Sequence, residues 1–407
     1  MGRYGLLGRI LGHSYSPAIH ELFGSVPYTL FEKEPEEVAS FLASSEWTGL
    51  NVTVPYKKTV VPFCDALSPL AARLGSVNTL VRQKDGTIFG DNTDAFGFSQ
   101  MLRRLGVECA GKKVLVLGSG GSSVTVQAVL KDLGARVVVI SRTGADNYTN
   151  LERHTDASII VNTTPVGMYP KNGNAPLSLE QFPHMEGVLD LIYNPCRTAL
   201  ILEAEKLGIP HESGLYMLVS QAARSSQLFT GQEISQEMME TTWRLISMRM
   251  GNIILVGMPG CGKTTVGRAL AKALDRPFFD VDEIICQEAG MDVSAIFATE
   301  GESGFRQREH AVLCRLGAKS NLLIATGGGC VTQERNYQVL HQNGTIFWLT
   351  RPTSLLDVTG RPLSQIKGPE QLYKERKPLY ERFADHTMEN TGSVQDTVRH
   401  ILEVLNQ

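Results

Sequence analysis

Residues 257–265 read Gly-Met-Pro-Gly-Cys-Gly-Lys-Thr-Thr and satisfy G-x-x-x-x-G-K-[ST] at every constrained position. The flanks narrow the fold further. Residues 252–256 (Asn-Ile-Ile-Leu-Val) predict a buried strand, and 266–274 predict a helix. A strand turning through glycines into a helix aims successive backbone N–H groups at one point, at the helix's positive end, which suits phosphate oxygens. The expected nucleotide contacts are Gly260, Cys261, Gly262, Lys263, Thr264 and Thr265. Lys263 would reach the β- and γ-phosphates and the Thr264 hydroxyl would hold Mg2+. A nucleoside triphosphate with Mg2+, ATP in the reading below, is the expected ligand of this segment.

That motif starts late in a chain of 407 residues, a length that predicts two to three domains. Strand-like and helix-like segments alternate throughout, so the expected class is α/β with mainly parallel sheets. Residues 1–100 form one block, with strands at 4–7, 49–54 and 79–82, completed by helices within 215–248. Residues 101–214 form a second unit opening with a strand at 113–118, and 251–407 form the phosphate-loop domain with a parallel sheet. A periodic helix over 233–248 leads almost directly to the strand at 252, without a Gly/Ser- or Pro-rich tether.

Composition removes several classes of function. Thirty-nine basic against 42 acidic residues give a net charge of −3, which offers no electrostatic reason for nucleic acid or anionic membrane. No apolar run reaches the roughly 18 residues of a membrane span. Seven cysteines form no C-x-x-C pair, which fits reduced thiols in a cytoplasmic enzyme. The nine histidines lack metal-site spacing, so no metal beyond Mg2+ is expected. Oligomeric state stays open.

In the second unit, Gly118-Ser-Gly120-Gly121-Ser-Ser123 lies between the strand 114–117 and a helix expected over 124–133, and a strand at 136–140 follows. This is a βαβ dinucleotide fingerprint with Ser123 at the third small position. After the second strand, where an acid would bind a ribose 2′-hydroxyl, stand Ser141, Arg142 and Thr143. A cation and hydroxyls there suit a 2′-phosphate, hence NADP(H), although 144–147 (Gly-Ala-Asp-Asn) add no second base. In the first block, Gly12-His-Ser14-Tyr-Ser16-Pro17 puts two hydroxyls in a turn suited to a carboxylate. Asn51-Val-Thr53-Val-Pro-Tyr-Lys57 ends a strand with Thr53 and Lys57 four apart. Gly75-Ser-Val-Asn78-Thr79 and Gly90-Asp-Asn-Thr-Asp94 add polar groups at strand ends.

Together, and in this order, these motifs resemble the shikimate dehydrogenase family as far as about residue 248, along with Asn162-Thr-Thr-Pro-Val-Gly167-Met, Asp190-Leu-Ile-Tyr193-Asn-Pro and Gly214-Leu-Tyr-Met-Leu-Val-Ser-Gln221-Ala. The resemblance implies that Ser14, Ser16, Thr53, Asn78, Asp94, Gln221 and Tyr193 hold a hydroxy acid. It makes Lys57, beside Asp94, the acid/base group. Gly118, Gly120, Gly121, Ser141, Arg142 and Thr143 would hold NADP, with Gly167 in the loop beside the nicotinamide.

After the phosphate loop, residues 278–282 (Phe-Phe-Asp-Val-Asp) are expected as a strand whose Asp280 and Asp282, two apart, point the same way. One would attend Mg2+ and the other an acceptor hydroxyl. Arg306 lies near an expected helix start, Gly327-Gly328-Gly329 follows an apolar strand, Gly360-Arg361-Pro362-Leu363 lies in a polar stretch, and Arg376 comes after it. Jointly these resemble shikimate kinase from 251 to the C-terminus. The resemblance gives Lys263 and Thr264 to ATP–Mg2+, with Asp280 near the metal. It gives Asp282, Arg306, Gly328, Gly329 and Arg376 to the acceptor, and Arg361 to the charge on the transferred phosphoryl group. The stretch 354–360 is short and lacks an arginine the family often carries before R-P-L.

The halves fit chemically. Reduction of 3-dehydroshikimate makes the hydroxyl of shikimate that the kinase would phosphorylate, which implies a bifunctional enzyme of the pathway to chorismate and aromatic amino acids. Two alternatives stand beside it, an NAD-linked quinate/shikimate dehydrogenase and an inactive ligand-sensing domain that regulates the kinase.

Overall fold

A computed structural model describes residues 2–12, 14–357 and 368–405. Its contacts divide it into two compact units, one of 1–168, 174–193 and 203–247 and the other of 169–173, 194–202 and 248–407. Among the described residues no helix is long and apolar enough to cross a membrane.

The first unit holds two sheets. β1 (Tyr4–Gly8), β2 (Tyr28–Glu32), β3 (Gly49–Val52), β4 (Ala66–Leu67), β5 (Thr79–Arg82) and β6 (Ile88–Asp91) pair in the order β2-β1-β3-β5-β6-β4. This sheet is mixed, because β5 runs antiparallel to both β3 and β6. The reason is local: a short turn from Arg82 to Ile88 makes β5 and β6 a hairpin, with no room for a crossover. β3 ends at Val52, two residues short of the expected limit, where the chain turns toward Lys57.

The second sheet, β7 (Lys113–Leu117), β8 (Arg136–Ile140), β9 (Ile159–Asn162), β10 (Gly187–Asp190) and β11 (His211–Ser213), has the order β11-β10-β9-β7-β8 and is parallel throughout. Val114, Leu115, Val116 and Leu117 are all 0% exposed, as a strand covered on both faces requires. β8 and β9 flank β7, so the strand order reverses at its carboxyl end, where ligands of open α/β sheets bind.

The helical tail is two helices, Leu215–Thr230 and Gln236–Met250, broken at Gly231 in the left-handed region (φ 72°). Arg104, in the Asp94–Leu105 helix, ties them to the unit. Its guanidinium meets Glu212 at 2.9 Å and Glu240 at 2.5 Å, and lies over the rings of Tyr216 and Trp243 at 4.5 and 3.8 Å.

In the second unit β12 (Asn252–Val256), β13 (Phe278–Asp280), β14 (Leu323–Ala325), β15 (Gly344–Thr350) and β16 (His386–Glu389) form a parallel sheet in the order β13-β14-β12-β15-β16. Every residue of central β12 is buried. Arg276 donates to the carbonyls of Gly251 at 2.7 Å and Met248 at 2.5 Å, fixing the entry to that strand.

Arg104→Met should lower the unfolding transition of the first unit by about 2–3 kcal/mol, between the exposed and buried limits for ion pairs. Burial already raises the Glu212 pKa, and its loss of Arg104 makes the ionised form costlier. A protonated Glu212 needs no cation, so the deficit should be largest near neutral pH and shrink toward pH 5. Thermal melts across that range check both magnitude and sign.

Candidate active sites

In the first unit the chemistry-bearing side chains gather at the ends of β3, β5 and β6. Lys57 Nζ donates to Asp94 Oδ2 at 2.5 Å, and Asn78 Nδ2 donates to Asp94 Oδ1 at 2.9 Å, so both carboxylate oxygens are held. Asp94 opens its helix, where a negative charge is favoured. Asn78 Oδ1 accepts from the Thr93 backbone N–H at 2.7 Å, and Thr93 Oγ1 lies 3.5 Å from Gln221 Oε1. Lys57, Asn78, Asp94 and Gln221 are thereby brought into one polar cluster. Lys57 stays about a quarter exposed, as a group that must meet a ligand should.

Ser14 Oγ accepts from the Ser16 N–H at 3.2 Å, closing the turn that displays both hydroxyls. Thr53 follows β3, its N–H on the Leu7 carbonyl at 2.9 Å. Tyr193 follows β10 and meets the Tyr15 ring edge-on at 6.4 Å, and burial raises its hydroxyl pKa. The structure adds Asn51, Thr79 and Thr93, all buried polar residues of the same network. Their position within the quoted motifs was the available signal, but their pairing was not.

At the end of β7, Gly118 adopts φ 103°, and a Cβ there would lie 2.9 Å from both Thr163 Oγ1 and Thr164 Cγ2. The helix starts at Gly121, three residues earlier than expected, because its first residues are small and leave no apolar mark in the sequence. No side chain caps that end, and a Cβ at Gly120 or Gly121 would meet nothing within 4 Å. Open space before uncapped N–H groups fits a pyrophosphate. Ser123 Oγ donates to the Gly118 carbonyl at 2.7 Å, so this serine braces the turn as well as being small. Ser141 N–H bonds Asp146 O at 3.2 Å, and Arg142 and Thr143 project exposed beyond β8. Among the described residues no carboxylate pairs with Arg142. Gly167 turns the loop after β9 with φ 95°.

In the second unit a cavity of about 410 Å³ is lined by Gly260, Lys263, Thr264, Thr265, Asp280, Asp282, Arg306, Gly328, Gly329, Arg351 and Arg376, among others. The Lys263–Leu274 helix begins at the loop lysine itself, again three residues early, because Gly262 (φ 99°) turns the chain straight into it. Asn390 Nδ2 donates to the Cys261 carbonyl at 2.6 Å and so tethers the loop. The Cys261 thiol is fully buried in the core, so that residue presents only backbone. Lys263 Nζ bonds the carbonyls of Gly257 and Met258 at 2.9 and 3.0 Å. Thr264 Oγ1 donates to Asp280 Oδ2 at 2.6 Å, an oxygen pair beside the phosphate loop that fits Mg2+ held chiefly by phosphates.

The strand expected over 278–282 stops at Asp280. Asp280 instead caps a helix, Val281–Ala289, its Oδ1 accepting from the N–H groups of Asp282 at 3.0 Å and Glu283 at 3.3 Å. The two carboxylates therefore do not share a strand face. N-capping by Asp satisfies free helix donors, and that local gain outweighs two more residues of strand. Asp282 nonetheless lines the cavity, with its carboxyl pushed up to about 7 by burial first and by Glu309 and Asp280 next.

Arg306 follows a break at Gly301 (φ 71°) within Val293–Gly317. Its Nη1 donates to Glu309 Oε2 at 2.6 Å, a bond between a 7% and a 0% exposed side chain. Burial opposes the Arg306 charge, but Glu309, joined by Glu302, offsets it and the pKa stays raised. Glu309 was not anticipated, though its spacing three residues beyond Arg306 on a helix was a legible signal. Arg376 Nη1 and Tyr380 Oη both donate to the Gly328 carbonyl, at 3.0 and 2.5 Å. A Cβ at Gly328 would strike Pro259, and one at Gly329 would sit 1.9 Å from Arg306 Nη2. Arg361 lies outside the described residues.

Known proteins match both parts. The profile of the shikimate dehydrogenase substrate binding domain matches residues 6–80, and that of shikimate kinase matches 259–406. The NADP(+) shikimate dehydrogenase of Moorella thermoacetica is 33% identical over 274 residues, covering 60% of this chain and 92% of that protein. That of Methanosarcina acetivorans is 36% identical, covering 59% and 96%. A chorismate mutase/shikimate 5-dehydrogenase fusion from Clostridium acetobutylicum superposes with TM-score 0.57 at 36% identity, covering 60% of this chain and 97% of that one. The Thermus thermophilus shikimate 5-dehydrogenase in complex with NADP(H) and shikimate gives 0.55 at 33%, covering 60% and 99%.

Gly329→Ala should displace the Arg306 guanidinium, which Glu309 holds in place. Calorimetry should find shikimate binding to the second unit weakened at least about tenfold, the worth of a charge-assisted contact, with binding of a non-hydrolysable ATP analogue changed much less.

Proposed function

Because the chain belongs to the shikimate dehydrogenase family over 60% of its length and carries a shikimate kinase domain after it, we propose that it catalyses two consecutive reactions. The first is NADPH-dependent reduction of 3-dehydroshikimate to shikimate. The second is ATP-dependent phosphorylation of shikimate to shikimate 3-phosphate. The observation that carries the reading is the Lys57–Asp94 pair at 2.5 Å in one unit, together with the phosphate-loop cavity lined by Asp282, Arg306 and Arg376 in the other.

In the dehydrogenase part, NADPH supplies the hydride when bound. Reduction builds negative charge on the ketone oxygen, and Lys57 Nζ, oriented by Asp94, donates the proton to it. We assign Ser14 and Ser16 to the substrate carboxylate, and Thr53, Asn78, Asp94, Tyr193 and Gln221 to the rest of the molecule. Gly118, Gly120 and Gly121 take the pyrophosphate, and Gly167 stands beside the nicotinamide. Arg142, with Ser141 and Thr143, takes the 2′-phosphate.

In the kinase part, ATP–Mg2+ supplies the phosphoryl group when bound, and Lys263, Thr264 and Asp280 are assigned to it with the loop N–H groups. Asp282 accepts the proton of the shikimate hydroxyl, Arg306 and Arg376 hold the carboxylate, and Gly328 and Gly329 let the ligand approach the backbone. Arg361 keeps the role that its motif implies, as a cation over the transferred group. We assign 1–100 with 215–248 to the dehydrogenase substrate domain, 101–214 to the dinucleotide domain and 251–407 to the kinase. A cytoplasmic setting is part of the proposal, supported by seven free cysteines.

Supplied with 3-dehydroshikimate, NADPH, ATP and Mg2+, the chain should make shikimate 3-phosphate without added enzyme. Lys57→Ala should lower reduction by about 10²–10⁴-fold while phosphorylation of added shikimate continues, and Lys263→Ala should do the reverse. Near-normal reduction by Lys57→Ala would remove that assignment. NADPH should be preferred over NADH by about tenfold through the single Arg142 contact, and Arg142→Ala should raise KM for NADPH alone. Equal use of both cofactors by the unmodified protein would overturn the 2′-phosphate assignment.

A further inference from the structure

Tyr28 lies on β2, at the edge of the first sheet, and is none of the residues that the motifs assign to the reaction. Its hydroxyl donates to Asn51 Oδ1 at 2.8 Å. Burial raises its pKa, and the nearby Ser16 hydroxyl opposes that shift. The single bond to Asn51 fixes which way the Asn51 amide faces. With Oδ1 committed to Tyr28, Nδ2 is left for Thr79 Oγ1, at 3.4 Å. Thr79, now an acceptor, has its own proton for Asn78 Oδ1 at 3.1 Å or Thr93 Oγ1 at 3.2 Å; Asn78 Oδ1 also accepts from the Thr93 N–H at 2.7 Å, and Asn78 Nδ2 faces Asp94 Oδ1 at 2.9 Å.

The network runs from Tyr28 through Asn51 and Thr79 to Asn78, where the Thr93 N–H joins it, and ends on the carboxylate that holds Lys57. Asn51, Thr79 and Asn78 are 5%, 0% and 3% exposed, so water cannot replace a missing link cheaply. The Tyr28 ring is itself clamped. His20, 0% exposed, stacks on it at 4.2 Å, and burial lowers the His20 pKa to about 3, so the stack is neutral at working pH.

We infer that Tyr28 is a positioning residue for the reduction, bonded through Asn51 and Thr79 to Asn78 and Asp94 at the hydroxyl end of the substrate site. It touches no reacting atom. It acts by fixing amide and hydroxyl orientations before substrate arrives, so its loss falls on substrate binding more than on proton transfer. The inference rests on the dehydrogenase reading above.

Tyr28→Phe, in the full chain, removes one oxygen and leaves Asn51 Oδ1 buried without a donor. KM for 3-dehydroshikimate should rise about tenfold, with kcat within about threefold, KM for NADPH unchanged and the kinase rate unaffected. Thr79→Val cuts the same chain further along and should do likewise. The double variant should show a KM no higher than the worse single one, because a chain is cut only once. A merely structural tyrosine would lower melting temperature without that KM-against-kcat split, and independent sites would multiply. Should Tyr28→Phe not fold, Thr79→Val carries the test alone. An unchanged KM in a folded variant, or multiplicative effects, overturns the inference. Absence of reduction by the unmodified protein would instead remove the dehydrogenase reading itself.

Discussion

The first turn of the Lys263–Leu274 helix carries backbone N–H groups that no side chain caps, and the Gly121–Asp132 helix repeats the arrangement in the other unit. Each follows a parallel strand, β12 buried throughout and β7 from Val114 onward, and a glycine in the left-handed region. An uncapped helix start leaves donors and a positive dipole end unpaid, which an ordinary fold avoids with Ser, Thr, Asp or Asn. Here the vacant donors face a cavity or open space, and the surrounding structure holds them there. Asn390 pins the loop at Cys261, and Ser123 braces the Gly118 carbonyl. Both proposed nucleotide sites depend on this one device.

Charge is handled in opposite ways in the two units. In the second, Arg306 and Glu309 are buried beside a half-buried Asp282, and Asp282 Oδ1, Glu309 Oε1 and Arg306 Nε make no hydrogen bond among the described residues. Desolvation raises both carboxyl pKa values, which Arg306 restrains. Such a cluster is costly when empty and suits a polar, anionic ligand that completes its bonds. In the first unit the ion pair Lys57–Asp94 keeps some solvent contact, and its support is a chain of neutral groups. Neutral donors fix direction without adding charge, which leaves Lys57 free to give and regain a proton.

Much of the fold was legible because its signals are local. β5, β8 and β12 have the limits read from the apolar runs, and both phosphate turns stand where glycine spacing puts them. Helix starts were misplaced by three residues, since apolar periodicity begins only where the helix first meets the core. Glycines in the first turn leave no apolar mark. The same locality misled at Asp280, where an alternating pattern looked like strand but a cap was the better use of the carboxylate.

By itself the sequence determined the α/β class, the two strand–glycine–helix turns and the inventory of polar residues near strand ends. Backbone sterics and hydrophobic periodicity act over a few residues, so they can be read one segment at a time. Only the tertiary structure decided which of those polar residues meet. Asp94 reaches Lys57 from 37 positions away, and Asn390 reaches Cys261 from 129. Glu309 became a buried partner of Arg306, and Tyr28 became a donor to Asn51. Whether a polar group is paired or stranded depends on which groups lose their water together, and that is a property of the packed chain.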